Sequence, residues 1–191
     1  GNNMAKSLRF WLKACGITID RPNSNEKPSF TNFAIKIFGP DGEDKYIEKK
    51  ETIWKLHYNV ITNFNYTSTW FWFFNFYNKQ SFDRQQLVSE VFQASSRANK
   101  NYNENTIKRD IDCFVRSYVA SSSQESSYED ALDCPFIELD LIRKTLGNSL
   151  TSKRDHQDSI PDELFLKSIH NLRLSLNLTS RTITVESLLN S

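Results

Sequence analysis

The chain has little glycine and little proline, five of each in 191 residues, so few backbone breaks are obligatory. That disfavours a sandwich of many short strands and favours a helix-rich, packed protein. Its three cysteines are odd in number and widely spaced, at Cys15, Cys113 and Cys134, with no CxxC pair and no Cys/His cluster. A zinc module and a secreted disulfide framework are both disfavoured by that pattern, and reduced thiols in a cytoplasmic protein are the simplest expectation. No charge of one sign dominates: 24 Lys and Arg stand against 23 Asp and Glu. Nucleic-acid affinity would then have to come from local cationic density. Long hydrophobic runs are missing too. The longest apolar-rich stretch, Trp70 to Tyr77, is far too short to cross a bilayer, so no membrane association is expected. No glycine-rich phosphate cradle occurs, and no histidine has an evident Ser or Cys partner, which sets aside ATP hydrolysis and nucleophilic acyl chemistry.

What is abundant is aromatic. Phe, Trp and Tyr make up 13% of the chain, with 14 Phe. The segments 52–62 and 68–77 read as helices, the first carrying Ile53, Trp54, Leu56, His57, Val60 and Ile61. In the second, Trp70, Phe71, Trp72, Phe73, Phe74 and Phe76 leave hardly a polar side, so it belongs to a core or to an interface. His57 reads as a core histidine.

Two further helices share one face pattern. Met4, Leu8, Trp11, Leu12 and Cys15 recur at helical spacing, and Ile107, Ile111, Phe114, Val115 and Tyr118 repeat that spacing a hundred residues later. Lys6, Arg9 and Lys13 lie opposite the first stripe, Arg109 and Arg116 opposite the second. Such a helix can dock on its own domain and still present cations to a phosphate backbone. Gly16 is a natural stop for the first helix, because it tolerates the left-handed conformation. Phe82 and Asp83 form a staple and cap for a helix carrying Leu87, Val88, Val91 and Phe92, and Asn103 or Asn105 caps the second basic helix. Residues 20–29 read as a polar linker and 121–127 as an exposed serine-rich loop. The alternation of Ile137, Leu139 and Leu141 predicts a strand, with a turn at Gly147-Asn148 and with Lys153, Arg154 and His156 at a hairpin tip. Pro161, Asp162 and Glu163 open a late helix.

Helix, connector, basic helix and hairpin follow the order of a winged helix-turn-helix, whose second helix enters the major groove. The expected fold is mainly α, an α+β chain with a small β-hairpin wing, in which helix-turn-helix or winged-helix-like units surround an aromatic helical core. The expected organisation is 1–20 as the C-terminal part of a truncated helix-turn-helix-like unit and 21–80 as an aromatic helical middle. A winged-helix-like unit is expected over 81–160, and a truncated helical segment over 161–191. Asn105 and Thr106 would approach base edges, while Lys6, Arg9, Lys13, Lys108, Arg109 and Arg116 would contact phosphates. Asp110 and Asp112 read as local ion-pair partners for the neighbouring cations, with divalent-metal ligation as the sharper alternative. The acids Glu129, Asp130, Asp133, Glu138 and Asp140 around Cys134 read as a solvated edge.

Four blocks, in order, resemble the uncharacterised-domain family that includes SspB, the DNA nickase component of bacterial single-strand phosphorothioation systems. They are Gly1-Asn2-Asn3-Met4 with Ser7, Arg9 and Trp11; Trp54 and His57 with Trp70, Trp72, Phe73 and Phe74; Asn105 to Asp110 with Cys113; and Asp133-Cys134-Pro135 with Leu139 and Ile142. The resemblance implies a DNA-binding and DNA-nicking endonuclease role in phage defence, a divalent metal (Mg or Mn) where nicking occurs, and duplex DNA as partner. It also implies a cysteine desulfurase, an ATPase and an adenylating sulfur-transfer enzyme as partners, and about fifty family residues ahead of Gly1. It assigns no catalytic residue. The alternative is a non-catalytic scaffold that recruits partner enzymes through its aromatic helices, and a homo-oligomer is compatible with either.

Overall fold

The computed structural model describes residues 1–20, 28–100, 102–120, 134–153 and 157–175. Residues 1–156 form one compact unit and 157–191 a second. The fold is mainly α with a small β wing, built on an aromatic core.

Helix α1 (Asn2–Ala14) ends as its sequence dictates. Gly16 adopts φ +69°, its amide bonds to the Lys13 carbonyl, and the Ile17 amide bonds to that of Leu12. This is a Schellman closure, which satisfies carbonyls the helix leaves free. Asn59 and Asn63 supply amide donors to the Cys15 and Ala14 carbonyls, tying the end of α1 to the third helix. At its other end Gly1 occupies the cap position without a side-chain bond, and Asn2 and Asn3 lie inside the first turn.

The expected linker begins and ends in a two-stranded antiparallel ribbon, β1 (Thr18–Ile19) with β2 (Ser29–Phe30). Thr31 then caps α2 (Asn32–Phe38), accepting from the Ala34 amide at 3.1 Å, and the Gly39–Gly42 turn follows. The aromatic helices are α3 (Lys50–Thr62) and α4 (Ser68–Phe76). Buried Thr67 joins them by donating to the Val60 and Asn63 carbonyls.

From Ser81 the order is β3 (Ser81–Phe82), α5 (Arg84–Arg97), α6 (Glu104–Tyr118), then β4 (Ile142–Lys144) and β5 (Leu150–Ser152). Both helices start on the expected kind of cap. Asp83 accepts from the Gln86 amide and Asn103 from the Asn105 amide, each at 2.8 Å. The sheet order is β3-β5-β4, all antiparallel, so the strand before α5 pairs with the last strand of the hairpin. Residues 121–127 lie outside the described residues.

The strand expected at 137–141 is instead a 3-10 turn, Pro135–Leu139, closed by Asp140 at φ 55°. Proline at its first position suits a tight helical turn. The strand begins only at Ile142, and Leu141 and Ile142 are both buried before the exposed Arg143 and Lys144. The hairpin tip is 145–149, with Leu146 95% exposed; Lys153 follows β5, and Arg154 and His156 lie outside the described residues.

In the second unit α7 (Asp162–Ser175) begins directly after Pro161 with Asp162 and Glu163 in its first turn, favourable positions for negative charge. No described helix is long and apolar enough to cross a membrane.

The core of the first unit is a web of rings. Phe114 of α6 lies 4.7 Å from Phe73 and 5.7 Å from Trp70, while Tyr118 stacks on Phe136 at 5.9 Å. His57 sits among Trp54, Phe74, Tyr118 and Phe136, and its Nε2 has no hydrogen-bond partner among the described residues. Burial pulls its pKa down to about 3. The unfolded chain, titrating near 6.5, therefore takes up a proton that the folded chain refuses. Stability from this group is complete above pH 6.5 and declines as pH falls, by about 2 kcal/mol at pH 5. Chemical denaturation between pH 7 and 5 should show that slope, and His57→Phe should flatten it. An unchanged slope would place the acid sensitivity elsewhere.

Candidate nucleic-acid interface

Burying Ile107, Ile111, Phe114, Val115 and Tyr118 fixes which side of α6 meets solvent. Outward on it are Asn105, Thr106, Lys108, Arg109, Asp110, Asp112 and Arg116, all exposed. Arg109 has no acidic partner among the described residues. The Nε of Arg116 donates to the Asp112 carbonyl at 3.3 Å, leaving the rest of its guanidinium outward. Lys108 is held 2.7 Å from Glu104, one turn back. Exposed pairs of this kind contribute only about 0.3–0.5 kcal/mol, weak enough to be exchanged for a phosphate.

The two aspartates part company. Asp112 bonds to Arg84 of α5 at 3.1 Å and so braces the helix pair, a cross-helix link in place of the expected local one. Asp110 pairs with no described cation, and burial pushes its carboxyl above the ordinary Asp range. No group of three or more His, Cys, Asp or Glu able to hold a metal occurs among the described residues. Of the acids near Cys134, Glu138 is exposed, and Asp140 binds Arg143 and Lys153, with the Arg143 hydrogen bonds holding its carboxyl below the usual range. Glu129, Asp130 and Asp133 lie outside the described residues.

The cations of α1 sit on a separate element. Lys6 and Arg9 are exposed and have no acidic partner among the described residues. Lys13 differs: its ammonium lies 2.7 Å from Asp20 and 6.0 Å from the Tyr66 ring centre, and the Asp20 hydrogen bond raises its pKa. It is occupied within the fold. The apolar stripe of α1 is also only half used. Trp11 meets Trp70 at 5.6 Å and Phe136 at 6.5 Å, but Met4 and Leu8 are each 59% exposed where burial was expected. Arg84, Arg143 and Lys144 are surface cations that the helix-face pattern did not single out; the first belongs to α5 and the others to the hairpin.

The sequence matches, over residues 1–191, the family described as "Protein of unknown function (DUF4007)". The chain belongs to that family. Its fold is similar to a crystal structure of SspB, with a TM-score of 0.75 and 24% identity, and to a magnesium ion-bound crystal structure of SspB, with a TM-score of 0.75 and 23% identity. Each alignment covers 91% of this chain and 54% of the solved one, so the chain spans about half the length of the structures it matches. No curated protein matches the sequence.

Proposed function

We propose that this chain is the duplex-binding part of a bacterial DNA phosphorothioate-modification system, serving the step that nicks one strand. The observation that carries the reading is a single arrangement. A helix pair, α5 and α6, is framed by a three-stranded sheet in the order β3-β5-β4, with the solvent face of α6 cationic. That is the plan of a winged helix-turn-helix, in which α6 lies in the major groove and the β4–β5 hairpin reaches the neighbouring backbone. Asn105 and Thr106, in the first turn of α6, meet base edges. Lys108, Arg109 and Arg116, joined by Lys6 and Arg9 of α1, meet phosphates. Lys13 is left out because Asp20 holds it. The nicking role and the cysteine desulfurase, ATPase and adenylating partners rest on the likeness to SspB, and the divalent ion on its magnesium-bound form.

Five phosphate contacts give a log–log salt slope of about −4.5, so affinity should fall roughly 500-fold between 50 and 200 mM salt. Retention of a short duplex on native gels across that range tests the binding. Conversion of supercoiled plasmid to the open circle, with magnesium or manganese and then with chelator, tests the nicking. Retention without conversion makes the chain a recognition part whose chemistry lies elsewhere. Loss of both favours the second reading, a scaffold for partner enzymes, which the uncovered Met4 and Leu8 on α1 support.

A further inference from the structure

Behind the first turn of α6 lies a small cavity that the groove-reading role does not use. It measures about 180 Å³ and is walled by Phe64, Trp72, Val91, Ala94 and Tyr102, with Lys100, Thr106 and Asp110 among its polar members. We infer that this cavity takes one nucleobase swung out of the bound duplex, with the ring between the aromatic walls and an exocyclic amino group donating to the Asp110 carboxylate. The inference rests on the DNA-binding reading of α6 and adds to it a specific ligand subsite.

Three features select that ligand. The volume is that of about six water molecules, too small for a drug-sized molecule and right for one flat ring system. The walls offer aromatic faces, which every base can stack on. The one carboxylate in the wall is Asp110, which has no hydrogen bond or ion pair to any described residue; partial burial against the wall raises its pKa, while the residue stays open to solvent on its other side. Guanine, adenine and cytosine carry an amino group that meets it. Thymine flanks its single N–H with two carbonyls, which a carboxylate repels. Position supports the same occupant, because Thr106 belongs both to the cavity wall and to the turn of α6 that faces the groove. Enzymes acting on DNA extrude nucleotides at a cost of a few kcal/mol, least where the base is already unpaired.

The test compares three short duplexes that differ at one site: fully paired, with one unpaired guanine, or with one unpaired thymine. Binding is read by fluorescence anisotropy at fixed salt. The native chain should prefer the unpaired guanine over the paired duplex by roughly tenfold, the lower end of base–aromatic stacking, and should show little preference for the unpaired thymine. Ala94→Phe fills the cavity from α5 and should cut the guanine preference to within about twofold while leaving paired-duplex binding unchanged. Asp110→Asn removes the acceptor with almost no change of shape and should lower the guanine-to-thymine ratio, even as loss of a negative charge strengthens binding overall. Circular dichroism melting confirms that both variants fold. A guanine preference that survives in Ala94→Phe overturns the inference, because the gain would then come from DNA flexibility. Equal binding of paired and unpaired duplexes by the native chain also overturns it, leaves the α6 reading standing and gives the cavity to an apolar side chain of a protein partner. Failure to bind any duplex sinks both readings together.

Discussion

Replacing Lys108 and Arg109 together with alanine should flatten the salt dependence of duplex binding by about two units of log–log slope. At 0.1 M salt this corresponds to roughly 60-fold weaker affinity. Arg109 supplies the larger share, since its guanidinium has no acid to leave, whereas Lys108 must release Glu104 before it meets a phosphate. The double variant also strands Glu104 in the first turn of α6, adding repulsion where DNA would approach. Lys13→Ala is the matched control: a lysine of the same apparent pattern, already held by Asp20, whose removal should change the slope by less than half a unit. Equal losses for the two variants would mean that binding follows total charge and not a defined face. No loss in either would remove α6 from the interface. The three slopes, measured on one duplex by anisotropy, decide between a surface and a sum.

That contrast between Lys13 and Arg109 shows where the sequence stops being legible. Periodicity places both on the polar side of an amphipathic helix, correctly. It cannot show that the chain returns after Gly16 and sets Asp20 against one of them, because the partner arrives through a turn and not through helical spacing. Met4 and Leu8 make the same point from the apolar side. Their stripe is written in the spacing, but whether another element covers it is a tertiary fact, and among the described residues Met4 and Leu8 stay 59% exposed. Caps, by contrast, are local chemistry: Asp83 and Gly16 do what their residue types dictate, and of the two candidate asparagines Asn103 takes the cap. The hairpin was readable from its turn, where Gly147 adopts φ +69°. Its third strand was not, because two residues of β3 carry no period. At 137–141 an alternating run was overruled by Pro135 and by the left-handed turn at Asp140. The base-sized cavity was equally invisible, since its walls come from five segments between Phe64 and Asp110.

Phe114→Ala tests whether the buried rings or the surface links set the orientation of α6. Phe114 is fully buried and touches Trp70, Phe73, Phe74 and Tyr118 at centroid distances from 4.7 to 6.2 Å. Truncation removes transfer energy, edge-to-face contacts and the support of four neighbours that cannot all collapse inward, a loss of about 4 kcal/mol. For a chain of this size that corresponds to a fall in melting temperature of about 8–16 °C. Phe76→Ser, on the outer side of α4 where the ring is 65% exposed, should stay within about 0.5 kcal/mol and shift the melt by no more than a degree or two. Both are phenylalanines on helices of the first unit, so composition alone predicts no difference between them. If the two variants melt together, the ring web does not hold the fold. If they separate as expected, duplex binding by Phe114→Ala well below its own melt becomes informative. Retained affinity would mean that α6 keeps its place through the Arg84–Asp112 link and the Asn103 cap, and lost affinity would mean that the aromatic core itself aims the helix.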